Sequence, residues 1–79
     1  METLKILGER LHQLRKGRSL KQKDMAEILD VTLRHYQRME HGAVNVSALT
    51  LCALADFFGV TTDYLLGRDD TPPENAHVR

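Results

Sequence analysis

Two arginines four residues apart, Arg34 and Arg38, carry the plainest chemistry in this 79-residue chain. If the segment around them is helical, that spacing puts both on one face. A guanidinium can donate two hydrogen bonds to O6 and N7 of guanine, discriminating against other bases by about 1–3 kcal/mol. Leu33 offers an apolar surface to a thymine methyl. His35 reaches either a phosphate or only water. The plain alternative is a pair of solvated surface arginines beside a singly exposed leucine. Which reading holds depends on the elements that position these side chains.

Residues 22–40 read as two short helices joined by a tight turn. Met25, Ile28 and Leu29 recur at helical spacing in the first, Tyr36 and Met39 in the second. Tyr36 and Met39 share an inner face with Ala26, which is small enough to let the helices cross closely. Asp30-Val31 breaks the pattern, and Asp tolerates a left-handed conformation. Thr32 stands where an N-cap belongs, and Gly42 suits the left-handed residue after the second helix. Two helices joined in this way make a helix-turn-helix, whose second helix enters the DNA major groove with its early residues toward the bases. Arg34 is then the better base reader. Arg38, one turn on, reads a base or holds a phosphate. Lys21, Lys23 and Arg18 would add contacts that release counterions, and the amides opening the first helix would bind the same anion.

The rest of the chain supplies a scaffold. Residues 3–16 predict a helix with Leu4, Leu7, Leu11 and Leu14 as its buried stripe, Thr3 as its cap, and Gly17 and Ser19 at its end. Gly8 inside it weakens it by about 1 kcal/mol against Ala. The two helices of the pair run over about 21–29 and 32–41. Residues 48–58 follow the candidate cap Ser47 and are apolar nearly all round, which predicts a central helix buried on several sides, with Cys52 as a small core residue. Thr61 caps a short helix over 62–66. The expectation is an all-α, compact five-helix domain over residues 1–67, with the pair formed by helices 2 and 3. The tail, 68–79, has no apolar period and predicts disorder.

Composition narrows the function classes. No apolar run approaches the roughly 18 residues of a membrane span, and the N-terminus lacks a signal-peptide pattern. One cysteine excludes an internal disulfide and fits a reducing, cytoplasmic setting. His12, His35, His41 and His77 fall in separate elements without zinc-binding spacing. No phosphate-cradling glycine loop, nucleophile elbow or convergent carboxylate pair is present, so neither an enzyme, a metal nor a cofactor is expected. Net charge is zero, yet the charge is split. Through Gly42 nine basic residues face six acidic ones, and from Ala43 on two face five. The basic half holds the candidate DNA-facing unit.

In this order and spacing, the residues Leu14-Arg15-Lys16, Leu20-x-Gln22, Met25-Ala26, Val31-Thr32, Tyr36, Met39-Glu40-x-Gly42, Asn45-x-Ser47, Leu54-Ala55 and Phe58 to Gly67 resemble the lambda-repressor-like helix-turn-helix family. The resemblance covers about residues 4–67. Lys21 replaces the usual Ser or Thr cap, Asp30 the usual turn glycine, and Val46 a common proline. The resemblance implies double-stranded DNA as partner, with Thr32, Leu33, Arg34 and Arg38 facing the groove and Gln22 on a phosphate. It implies an ion pair between Arg15 and Glu40. It also implies a homodimer through the C-terminal end, where Phe57, Phe58, Tyr64, Leu65 and Leu66 are rich in apolar surface. These five could instead close the monomer core. The function so implied is a transcriptional regulator, most simply a dimeric repressor on a near-palindromic operator. Its signal would arrive through a protein partner, competition for DNA, or its own concentration. A protein-interaction module of antitoxin or adaptor kind, using the apolar C-terminal face, is the rival.

Overall fold

A computed structural model describes residues 2–70, which form five helices: α1 Glu2–Gly17, α2 Gln22–Leu29, α3 Leu33–Glu40, α4 Ala48–Phe58 and α5 Thr62–Leu65. One local grammar starts three of them. Thr32 accepts from the His35 amide at 3.0 Å, Ser47 from Thr50 at 3.2 Å and Thr61 from Tyr64 at 2.9 Å, each satisfying an amide that the first turn leaves open. Lys21 has no such oxygen. There the Asp24 carboxylate reaches back to the Lys21 amide at 2.8 Å, half of a capping box. α1 starts at Glu2, so Thr3 lies inside it and is no cap.

Asp30 ends α2 in the left-handed conformation (φ 57°, ψ 47°), and Val31 N–H closes back on the Ala26 carbonyl at 3.0 Å. α1 ends similarly, but Ser19 rather than Gly17 takes the positive φ. Its last turn carries Arg15 and Lys16, which suit the negative end of the helix dipole.

Gly8 reverses its sequence reading. It is buried where α1 crosses the end of α3, and a Cβ there would lie 2.3 Å from the Glu40 carbonyl oxygen. It is the point of closest approach between the helices. Gly42, at φ 71°, meets the backbone of Leu4 and Lys5 in the same crossing, where a Cβ would be 3.0 Å away. The two glycines let α1 lie directly against the last turn of α3.

The core joins Leu7 and Leu11 of α1, Met25 and Ala26 of α2, Tyr36 and Met39 of α3, Leu54, Ala55 and Phe58 of α4, then Val60 and Leu65. α3 packs on both α1 and α2, and α5 bridges α1 and α4. Ile28, expected on the inner face, is exposed. α4 is not central. It covers the core with one face only, while Leu49 is 84% exposed and Cys52 and Ala53 also face outward. In a five-helix domain of this size no helix is surrounded on all sides, so uniform apolarity does not translate into uniform burial.

Residues 68–70 continue the fold. Arg10 lies 4.2 Å over the Tyr64 ring and donates to the carbonyls of Tyr64 and Asp69 and, at 2.6 Å, to the Asp70 carboxylate. The rest of the tail for which disorder is expected, 71–79, lies outside the described residues. Among the described residues no helix is long and apolar enough to cross a membrane.

Candidate nucleic-acid interface

The outer face of α3 is exposed at Thr32, Leu33, Arg34, His35 and Arg38, with Leu33 at 44%. Among the described residues neither Arg34 nor Arg38 makes a salt bridge, whereas Arg10 and Arg15 are tied to carboxylates. The guanidiniums of α3 are therefore available, while those of α1 hold the fold. The Thr32 hydroxyl accepts one bond as the helix cap, which leaves its proton and a second lone pair for an outside partner.

Behind this face sits a buried polar knot centred on Glu40. Arg15 clamps it with two nitrogens, Nε to Oε2 at 2.6 Å and Nη2 to Oε1 at 3.2 Å, and donates the third, Nη1, to the Leu20 carbonyl at 2.9 Å. The Tyr36 hydroxyl donates to Oε2 at 2.5 Å. Gln22 Nε2 donates to Oε1 at 3.2 Å, and its own carbonyl oxygen accepts from Gln37 at 3.2 Å. His12 Nδ1 lies 3.2 Å from Oε1 and 3.1 Å from Arg15 Nη2. The knot therefore joins α1, α2 and α3.

Burial alone would oppose ionisation of Glu40. The hydrogen bonds from Arg15, Tyr36, Gln22 and His12 outweigh it and hold the carboxyl down at about 2. Burial, reinforced by the bond to Glu40, pushes the Tyr36 phenol far above its ordinary range. The bond to Glu40 outweighs burial for Arg15 too and raises its pKa. All three groups thus keep one protonation state across the physiological range, and the clamp behind α3 is permanent.

Gln22 opens α2 half-buried, in a cleft that it lines with Arg15, Lys16 and Lys21. Lys23 is exposed and, among the described residues, unpaired. Arg18 does not join this cleft. Its guanidinium stacks over Phe57 and Phe58, at 5.0 and 5.3 Å, a cation–π contact that draws it toward α4 and away from a phosphate beside Gln22.

The candidate dimer residues divide. Leu65 is 0% exposed and belongs to the core, so it cannot be a contact surface, and Phe58 is buried with it. The reason is that α5 is a single turn laid across α1 and α4, which leaves one side chain pointing straight inward. Phe57, Tyr64 and Leu66 remain half-buried at the surface.

Sequence reasoning missed four participants: His12, Gln37, the Tyr36 hydroxyl and Arg10. Two carried a signal in their spacing. His12 precedes Arg15 by three residues and Tyr36 precedes Glu40 by four, the separations at which helical side chains meet, whereas Gln37 bonds Gln22 on another helix. Arg10 reaches across 54 residues or more and left no local trace. Among the described residues no cluster of His, Cys, Asp or Glu could hold a metal ion.

Comparison with known proteins agrees with this geometry. The helix-turn-helix family model matches residues 11–65. The chain is 36% identical over 61 residues to the SPbeta prophage-derived uncharacterized HTH-type transcriptional regulator YonR of Bacillus subtilis, covering 77% of this chain and 56% of that protein. It is 33% identical over 69 residues to the HTH-type transcriptional regulator ImmR of the same organism, covering 87% and 54%. It is 38% identical over 60 residues to the HTH-type transcriptional regulator DdrOP3 of Deinococcus deserti, covering 76% and 46%. The chain thus spans about half the length of these relatives. No solved structure matches it. The reading of the chain as a binding domain rather than an enzyme agrees with the family and with these names. The matched segment runs from Leu11 to Leu65 and takes in the whole α2–turn–α3 unit, and the chain belongs to the helix-turn-helix family, of the lambda-repressor-like kind.

Proposed function

We propose that this domain binds double-stranded DNA sequence-specifically, with α3 in the major groove, and that it regulates transcription, most simply as a repressor. The observation that carries this is the pair Arg34 and Arg38, exposed and unpaired among the described residues, on a helix whose back is locked by a buried polar knot. Side chains that must read bases need a rigid support, and here the support is built from three helices. Arg34, with Leu33 beside it, reads base edges, and Arg38 and His35 reach a base or the flanking backbone. Gln22, Lys21 and Lys23 hold phosphates at the start of α2. The similarity to three HTH-type transcriptional regulators supports the same reading.

Two copies would pair through the half-buried Phe57, Tyr64 and Leu66 and place their α3 helices on successive half-sites of a near-palindromic operator. A second reading has its own observation: the bare outer face of α4 at Leu49 suits a protein partner. The test is selection from a randomised duplex pool with the purified chain at two salt concentrations. A two-half-site motif whose affinity falls steeply with salt is expected. No enriched sequence, with weak binding that vanishes in salt, would refute specific recognition and favour the protein partner.

A further inference from the structure

With His12 protonated, the knot behind α3 has one donor more than it can satisfy. A carboxylate offers about four lone-pair sites on its two oxygens. Glu40 faces four fixed donors, Arg15 Nε and the Tyr36 hydroxyl at Oε2 and Arg15 Nη2 and Gln22 Nε2 at Oε1, and a fifth, His12 Nδ1 at 3.2 Å from Oε1, whenever that nitrogen carries a proton. Arg15 is fixed by its 2.6 Å bond to Oε2, so His12 and Gln22 contend for the place left on Oε1.

The proton on His12 decides the outcome. With Nδ1 bare, the ring is an acceptor there and takes the N–H of Arg15 Nη2, 3.1 Å away, leaving Gln22 on Oε1. With both ring nitrogens protonated, Nδ1–H donates to Oε1. That bond joins two opposite charges, whereas the amide's joins a neutral donor to the same carboxylate, so the imidazolium's is the stronger. Gln22 then gives way. The His12 side chain is 53% exposed, so solvent protons reach it. The groups facing it are Glu9 and Arg15 on α1, Glu40 on α3 and His41 just beyond, with the uncharged Gln13 and Gln22. The two carboxylates favour an imidazolium, while Arg15 Nη2, 3.1 Å from Nδ1, opposes it, so the charged ring must turn from that nitrogen toward Oε1. His41, if charged over the same range, opposes the imidazolium too.

We infer that His12 is a proton-dependent positioning residue for Gln22: its protonated ring takes the Glu40 oxygen and releases the Gln22 amide toward the outer face of the α2 start. The exchange lies wholly inside the protein. Its consequence for DNA rests on the DNA-binding reading above. The released amide and the added positive charge both favour a phosphate at that helix start, so duplex binding tightens as pH falls through the histidine range. One recovered hydrogen bond corresponds to about a three- to tenfold gain in affinity.

The first test follows the side-chain amide of Gln22 and the His12 ring by NMR in the full chain without DNA, from pH 8 to 5.5. The Gln22 amide should move with the His12 midpoint, keep doing so in His41→Gln, and stay still in His12→Gln. A Gln22 amide that ignores the His12 titration in the otherwise unmodified chain overturns the inference, whether or not His12→Gln folds. The second test measures affinity for a duplex pool of random sequence across the same pH range, with His35→Gln in every protein to remove the histidine of α3. A three- to tenfold tightening that His12→Gln abolishes supports the inference. The same tightening surviving in folded His12→Gln overturns it. If no protein binds duplex at any pH while Gln22 still follows His12, the exchange stands and the DNA-binding reading is what fails.

Discussion

Replacing Gly8 by Ala should damage the domain severely, although helix propensity says the opposite. A Cβ at Gly8 would sit 2.3 Å from the Glu40 carbonyl oxygen, 2.8 Å from its carbon and 2.9 Å from the Met39 oxygen. Ordinary contact begins near 3.4 Å, so α1 and the last turn of α3 must part by about 1 Å. All three neighbours are backbone, and none can swing aside. The parting also loosens Leu7, Leu11 and Met39, which meet at the same crossing in the core. Overpacking of this kind, with the backbone shifts it forces, costs about 1–3 kcal/mol and occasionally more. The gain from Ala over Gly in a helix offsets roughly 1 kcal/mol. With backbone on all three sides the upper end of the overpacking range applies, and the net loss of about 2 kcal/mol is a large part of the few kcal/mol such a domain has and should lower Tm by about 8–16 °C in thermal unfolding followed by circular dichroism. Gly17→Ala is the control, in the same helix, with nothing within 4 Å of the added carbon and no positive φ. It should raise Tm by a few degrees. If both substitutions raise Tm, the close approach of α1 and α3 is not what Gly8 is for, and the reasoning is refuted.

The acid limb of stability should report Glu40. Its carboxyl is held at about 2 in the folded chain against an ordinary 4.5, so between those values the unfolded chain binds the extra proton. The stabilisation is present above about pH 4.5 and is lost as pH falls toward 2. It amounts to about 3 kcal/mol in full, of which about 2 kcal/mol is lost by pH 3, read as a fall in the urea midpoint between pH 7 and pH 3 that is much smaller in Glu40→Gln. At neutral pH, Glu40→Gln should itself cost roughly 3–5 kcal/mol by stranding the Arg15 guanidinium. Leu65→Asp should unfold the chain, whereas Leu66→Asp should leave it folded and weaken self-association in sedimentation. Thr32→Ala should cost about 1 kcal/mol through the lost cap.

Much of this fold was legible because its signals are local. Thr32, Ser47 and Thr61 announced helix starts by residue type, and Asp30 announced the turn, since each acts on amides within four residues of itself. The pairing of α2 and α3 was legible from Ala26, Tyr36 and Met39, whose spacing already puts them on one face. What failed was anything decided by a distant neighbour. Leu49, Cys52 and Leu65 are equally apolar in sequence, and only packing shows that the first two face outward and the third is sealed. Gly8 read as a defect because its partner, the backbone of Glu40, is 32 residues away. Nothing local to Arg18 reveals that it lies over the rings of Phe57 and Phe58. The exposure of α3 was readable for a different reason: Tyr36 and Met39 fix its inner face, which leaves Arg34 and Arg38 on the outside.

The claim that α3 reads bases through Arg34 has one direct measurement. Duplex selection with Arg34→Ala, run beside the unsubstituted chain at the same salt concentrations, separates a base reader from a phosphate ligand. The account predicts that the motif survives but loses preference at one position in each half-site, a discrimination of about 1–3 kcal/mol, while the dependence on salt changes by no more than one contact. An unchanged motif with uniformly weaker binding would contradict it and make Arg34 a backbone contact.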